Sequence, residues 1–262
     1  MTGFFSGKAA YYAKYRKGYP AEMFDCITSR LSLMPSSEVL DLGCGTGNMA
    51  IPLARQGFHV YAVDPEPEML AEGKRCERDV SVTRPISWLI GADTTIGRMS
   101  FPPLRLCTMG LSFHWMDRPT VLRTLDGLIE PGGGIACVDR NDSLFSHLGS
   151  GWGCVVYEVL REILGESWDS SGLKHRQMER HENFFLESPF PVVEEYTFPV
   201  QEEMTIDRII GLILSQSYID PVLLAERNAE FRDRLTRRLL EIEPSGKFTE
   251  MFTVHLILAT RE

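Results

Sequence analysis

Between Glu38 and Ala50 the chain reads EVLDLGCGTGNMA, placing glycines at 43, 45 and 47 directly behind an apolar run. A strand that enters such a turn and leaves it as a helix presents backbone N–H groups and the positive helix end to a ligand. Glycine supplies the positive φ and the close approach that a side chain forbids. The dinucleotide fingerprint is G-x-G-x-x-G, whereas this stretch is G-x-G-x-G with Asn48 where the last glycine should stand. Asp41, two residues before the first glycine, suits a ligand with positive charge better than a pyrophosphate. Asp64 ends HVYAVD, some 20 residues beyond the glycines, where an acid can accept hydrogen bonds from ribose hydroxyls. Asp93 ends ISWLIGAD in the same way. His114, in SFHWMD, is a candidate base with a tunable pKa.

These residues need a scaffold that brings strand ends to one edge. From Met34 onward, short β-rich runs alternate with helical patterns, as in a parallel sheet covered on both faces. The predicted strands are EVLDL (38–42), HVYAVD (59–64), ISWLIGAD (86–93), LRLCTMGLSF (104–113) and IACVD (135–139). Between them lie helices in NMAIPLARQG, with Gly57 as a stop, in PEPEMLAEGKRC, with Pro65 in its first turn, and in PTVLRTLDGLI, whose face includes Leu128 and Ile129. PGGG is read as the turn into the fifth strand. The alternation then stops: residues 141–190 carry one helix with a stripe at Val155, Val156, Val159, Leu160, Ile163 and Leu164. An insertion there lies over the carboxyl edge of an open α/β sheet, where ligands bind, and is read as a lid. An extended VVEEYTFPV, a helix through Ile206 to Leu214, a charged helix at about 221–241 and a closing strand FTEMFTVHLILAT follow. The expected fold is α/β, a Rossmann-like doubly wound, mostly parallel seven-stranded sheet with a helical lid after the fifth strand.

Of 262 residues, 44% are hydrophobic, ample for one sizeable core, and the net charge of −9 removes the usual driving force for binding a phosphate backbone. Nucleic acid is therefore not expected as a partner; the acidic balance instead favours a small acceptor that can be cationic. Six scattered cysteines form no C-x-x-C pair, so neither a metal site nor a disulfide framework is expected. No apolar run approaches the ~18 residues of a membrane span, and a cytoplasmic location is expected.

A ligand carrying positive charge suits Asp41, and S-adenosylmethionine, with its sulfonium and ammonium groups, has that character. Here the chain resembles the class I S-adenosylmethionine-dependent methyltransferases, through VLDLGCGTG, VYAVDPEPEML and GAD. YAKYRKGYP (12–20) and SFHWMD (112–117) narrow the likeness to a small-molecule subgroup with an aromatic N-terminal arm. The resemblance implies an arm at 1–33 in which Tyr15, Arg16 and Tyr19 cover the methionine end, Arg16 reaching its carboxylate. It implies a core at 34–140 and 191–262 in which Asp41, Gly43, Gly45, Gly47, Asp64, Pro65, Met69, Ala92, Asp93 and Ser112 line the cofactor pocket. Within that pocket Asp64 meets the ribose and Asp93 the adenine amino group.

Acceptor contacts are expected from Phe113, Trp115, Asp139, Trp152 and Tyr218, with His114 as proton acceptor and 141–190 as lid. His175 and His181 lie six apart with no ligand spacing, and Glu194, Glu195, Glu202, Glu203 and Asp207 form an acidic cluster that could hold an amine. The expected activity is methyl transfer to nitrogen or oxygen of a specialised metabolite such as an aminosugar or aminoglycoside, by a monomer or homodimer. A nucleic-acid methyltransferase and a non-catalytic cofactor-binding protein remain as alternatives, since fold does not fix activity.

Overall fold

The computed structural model describes residues 7–140, 151–165, 180–217, 219 and 225–262. Two N-terminal helices, α1 (Ala9–Tyr15) and α2 (Ala21–Arg30), precede an alternating unit: β1 (Glu38–Leu42), α3 (Ala50–Arg55), β2 (His59–Asp64), α4 (Pro67–Arg78), β3 (Ser87–Ile90), β4 (Leu104–Gly110), α5 (Arg118–Asp126) and β5 (Ile129–Arg140). There follow α6 (Trp152–Leu164), α7 (His181–Leu186), β6 (Val192–Thr205), α8 (Ile206–Leu214), α9 (Asn228–Ile242) and β7 (Lys247–Thr260).

One seven-stranded sheet runs in the order β3-β2-β1-β4-β5-β7-β6, and only β7 opposes its neighbours. The doubly wound, mostly parallel sheet is thus the one expected. Its strand order reverses between β1 and β4, the position where open α/β sheets leave a crevice. The glycine turn follows β1 at that crevice, and a short 3-10 turn, Phe113–Trp115, follows β4.

Local chemistry accounts for the helix starts. Asp117 caps α5 by accepting the Thr120 N–H at 3.2 Å, Thr205 caps α8 by accepting the Arg208 N–H at 3.3 Å, and Pro67 stands at the start of α4. Two boundaries differ from expectation. The α5 helix ends at Asp126, so Ile129 opens β5, and PGGG lies inside that strand as an irregularity, with Leu104 opposite Ile129 but Leu106 opposite Gly134. The fourth strand stops at Gly110 because Leu111 adopts φ 55°, a conformation costly for a residue with a Cβ.

Apolar side chains cover both faces of the sheet, and a third cluster forms away from it. There the stripe of α6 meets Ile209, Ile213 and Leu214 of α8 and Phe231, Leu235 and Leu239 of α9. Each fully buried aliphatic of that kind contributes about 1.5–3 kcal/mol.

Trp88 of β3 fixes the packing beneath the glycine turn. A Cβ on Gly73 of α4 would lie 2.4 Å from its ring and one on Gly47 2.7 Å away, while its indole N–H donates to Glu77 at 2.8 Å. Gly73→Ala gains about 1 kcal/mol of helix propensity but overpacks that contact, at a cost of about 1–3 kcal/mol. The expected outcome in urea unfolding is a net loss of stability; a stabilised variant would show that the indole does not sit against Gly73.

Candidate active site

Gly43, Gly45 and Gly47 all have positive φ, at 70°, 54° and 89°, so each needs glycine for its backbone alone. Their surroundings differ. A Cβ on Gly43 would lie 2.5 Å from Ser112 Cβ, because Ser112 packs into the turn and donates its hydroxyl to Leu42 O at 2.7 Å. Gly47 is closed off by Trp88 and Ile51. Only at Gly45 does the turn open, toward the Tyr12 ring of α1 at 3.8–3.9 Å. Two of the three glycines therefore make room for the protein's own side chains.

The acids near the strand tips are engaged before any ligand arrives. Asp64 accepts the Gly45 N–H at 2.8 Å through Oδ2 and the Glu66 N–H at 2.9 Å through Oδ1, tying the glycine turn to the start of α4. Burial raises its carboxyl pKa. Asp41, 1% exposed, accepts the Ala50 N–H at 3.0 Å and the Thr108 hydroxyl at 2.8 Å. Burial pushes its pKa up to about 7 in spite of those bonds. Asp93, three residues beyond the end of β3 rather than at its tip, accepts the Asp117 N–H at 3.1 Å, and Ala92 donates its N–H to Thr95 Oγ1 at 2.8 Å. Pro65 joins Asp64 to α4, on which Met69 is buried.

The arm divides in two. Tyr19 is half-buried beside the end of β4, its hydroxyl 2.8 Å from where a Gly110 Cβ would stand, and desolvation raises its phenol pKa. Tyr12, which sequence reasoning passed over, stacks under the Arg16 guanidinium at 4.4 Å and faces Gly45. Tyr15 and Arg16 turn toward α8 instead of the glycine turn. The Tyr15 ring packs on Gly211 and its hydroxyl donates to Asp207 at 3.0 Å; Arg16 donates to Ser215 Oγ at 3.0 Å and Gln216 Oε1 at 2.8 Å.

On the acceptor side two expectations are corrected. Phe113 is 1% exposed, stacked on Phe185 at 5.2 Å, and Trp152 is buried in the α6–α8–α9 cluster; both are core residues with no face left for an acceptor. Tyr218 lies outside the described residues. His114 and Trp115 stay half-buried in the turn after β4. The structure adds His181, whose ring lies parallel to that of His114 at 6.5 Å and whose Nε2 is 3.7 Å from Asp139 Oδ2. No spacing could have paired residues 67 positions apart. The acidic cluster is largely spent in ion pairs along β6: Glu194 with Arg30, Glu195 with Arg180, Glu202 with Arg208 and Lys17, and Glu203 with Lys247. It does not form an amine pocket. Among the described residues, no group of three or more His, Cys, Asp or Glu could hold a metal ion, and no helix is long and apolar enough to cross a membrane.

Comparison with known proteins agrees with this geometry. Residues 39–133 match the family described as a methyltransferase domain. A protein of Mycobacterium bovis named an uncharacterized methyltransferase is 27% identical over 222 residues, 83% of this chain and 78% of its own. The malonyl-[acyl-carrier protein] O-methyltransferase of Pectobacterium atrosepticum is 32% identical over 127 residues, 47% of each chain. Among solved structures, an S-adenosylmethionine-dependent methyltransferase from Thiobacillus denitrificans, in complex with S-adenosylhomocysteine, shares the fold with TM-score 0.55 at 16% identity, covering 100% of this chain and 99% of that one.

Asp41 makes the site's electrostatics measurable. An acid with a folded-state pKa near 7 against an ordinary 3.8 contributes stability that is complete below the lower value and lost as pH rises through the upper one. Wild type should therefore lose roughly 3 kcal/mol relative to Asp41→Asn between pH 4 and pH 7. Denaturant titrations of both proteins across that window test this; a constant difference would mean that folding leaves the carboxyl's pKa unshifted.

Proposed function

We propose that this chain, which belongs to the class I S-adenosylmethionine-dependent methyltransferases, moves the donor's methyl group to oxygen or nitrogen of a small molecule, with an aminosugar or aminoglycoside as the favoured acceptor class. The observation that carries the reading is the glycine turn, open at Gly45 and tied across its mouth to Asp64. The residues fit the donor on chemical grounds. Carboxylates stand at or just beyond the ends of three neighbouring strands, an environment that suits a cation bearing a ribose and an adenine and repels a polyphosphate.

In this reading Asp64 takes the ribose hydroxyls, Asp93 the adenine amino group, and Asp41 braces the turn from behind through the Ala50 N–H and the Thr108 hydroxyl. Pro65, Met69, Ala92 and Ser112 complete the wall. Tyr12 and Tyr19 cover the opening and exclude water, which strengthens each electrostatic contact inside. When bound, the donor supplies a methyl group on a sulfonium whose C–S electron pair leaves with sulfur, so the acceptor contributes a lone pair and, as a hydroxyl, sheds one proton. Alignment of that lone pair is the protein's main task. His114 stands at the mouth as one group able to receive the proton, with Trp115 and Asp139 beside the acceptor and α7 next to them. The arm spans 1–33 and the core 34–140 with 191–262.

The aminosugar preference draws support only from the net charge of −9, which attracts amines and disfavours RNA or DNA. Calorimetry should show binding of S-adenosylhomocysteine and none of NADH. Asp64→Ala should weaken that binding about a hundredfold, the worth of two hydrogen bonds to a charged group; unchanged affinity would remove the donor site from this turn. Mass spectrometry of aminosugar and polyol panels incubated with labelled donor should show a gain of one methyl group. Transfer to none of them, with donor product still bound, would favour a binding role.

A further inference from the structure

The ring of His181 poses a problem that the donor site does not solve. It opens α7, is 8% exposed, and packs edge-on to Phe113 at 5.2 Å. Its Nε2 lies 3.7 Å from Asp139 Oδ2 at the end of β5, whereas its Nδ1 is buried with no hydrogen-bond partner among the described residues. Buried polar atoms in folded proteins are nearly always satisfied, and each exception asks for a cause. The nearby carboxylate favours the ring proton on Nε2, which leaves Nδ1 as a lone pair directed at no donor among the described residues. The parallel ring of His114 places a second imidazole on the same side of the crevice, at the ends of β4 and β5.

We infer that His181, held in its Nε2–H form by Asp139, is the proton acceptor of the site, and that the group it serves is a hydroxyl of the small-molecule acceptor. The inference deepens the methyltransferase reading and rests on it. A hydroxyl gains from a base at the moment of transfer, whereas an amine needs only to arrive unprotonated; a carboxylate-backed lone pair is therefore specific equipment for oxygen. The hydroxyl oxygen forms the new bond to carbon, its proton passes to His181 Nδ1, and Asp139 balances the resulting imidazolium. His114, its ring parallel on the same side of the crevice, orients the acceptor. The charged and titratable groups facing His181 are Asp139 from β5, Arg118 from α5, Glu182 from its own helix and His114 from the turn after β4. Burial is the largest influence and holds the ring's pKa below its usual value, Asp139 and Glu182 raise it, and Arg118 lowers it. The ring is thus neutral, and able to accept, at pH 7.

Nitrogen-detected NMR of the full chain labelled at histidine tests the arrangement with no acceptor in hand. His181 should carry its proton on Nε2 and titrate below the usual 6.5 or so. Asp139→Asn should lower that midpoint by about one pH unit, and His114→Asn should leave the tautomer unchanged. A ring protonated on Nδ1, or a midpoint indifferent to Asp139→Asn, overturns the inference. The chemical arm uses a small-metabolite extract with methyl-labelled S-adenosylmethionine. His181→Gln should cut transfer at least a hundredfold, within the range typical of a lost general base, while S-adenosylhomocysteine affinity by calorimetry stays within about threefold of wild type. Full transfer by His181→Gln, or a methyl group found on nitrogen in the wild-type product, overturns it as well. Failure of wild type to bind S-adenosylhomocysteine would instead strike the methyltransferase reading and leave the NMR result to stand alone.

Discussion

One hydrogen bond organises the crevice between β1 and β4: the Gly45 N–H meets Asp64 Oδ2 at 2.8 Å, joining the turn after β1 to the tip of β2. Three glycines at alternate positions have little conformational preference of their own, and a turn built from them loses much entropy on ordering. A carboxylate fixed on a neighbouring strand supplies the missing restraint, and the second oxygen, on Glu66 N–H, anchors the acid itself. Asp41 repeats the device one strand over, bridging α3 and β4 through Ala50 and Thr108. Burying two carboxylates this close is costly unless their lone pairs are occupied, so the backbone N–H groups that make the turn also make the acids tolerable.

Much of this could be read in the chain. The strand runs, the three acids near their ends and the glycine turn carry strong local signals, because a buried parallel strand is a nearly unbroken apolar run and the residue at its tip is the first free to be polar. PGGG misled because glycine marks bulges as readily as turns. Phe113 and Trp152 were assigned to the acceptor because an aromatic residue near a strand end or in a lid looks the same whether it faces a ligand or a neighbouring helix. Only packing against Phe185 and against α8 and α9 tells these apart. His181 and Tyr12 were invisible for a different reason. Each acts through a partner far away in sequence, Asp139 and Gly45, and no periodicity encodes such a meeting.

The arm and the helical cluster are mechanically joined. Arg16 reaches Ser215 and Gln216, Lys8 donates to Ser217 O at 3.2 Å and Ile219 O at 3.0 Å, and Tyr15 sits where Gly211 leaves α8 without a side chain. The segment that covers the glycine turn through Tyr12 is thereby fastened to the helix that packs against α6. The N-terminal segment and the helical cluster share one set of fastenings, so neither can shift without the other.

The far side of the sheet has its own logic. β6 is a 14-residue strand at the edge, paired to β7 along its whole length on one flank only. Such a rim offers unsatisfied amide groups to any extended peptide and is the usual nucleus of unwanted strand addition. Here Pro199 deletes one N–H midway, and Glu194, Glu195, Glu202 and Glu203 line the strand with carboxylates tethered to basic partners. The acids that looked like a magnet for amines act as a fence against polymerisation.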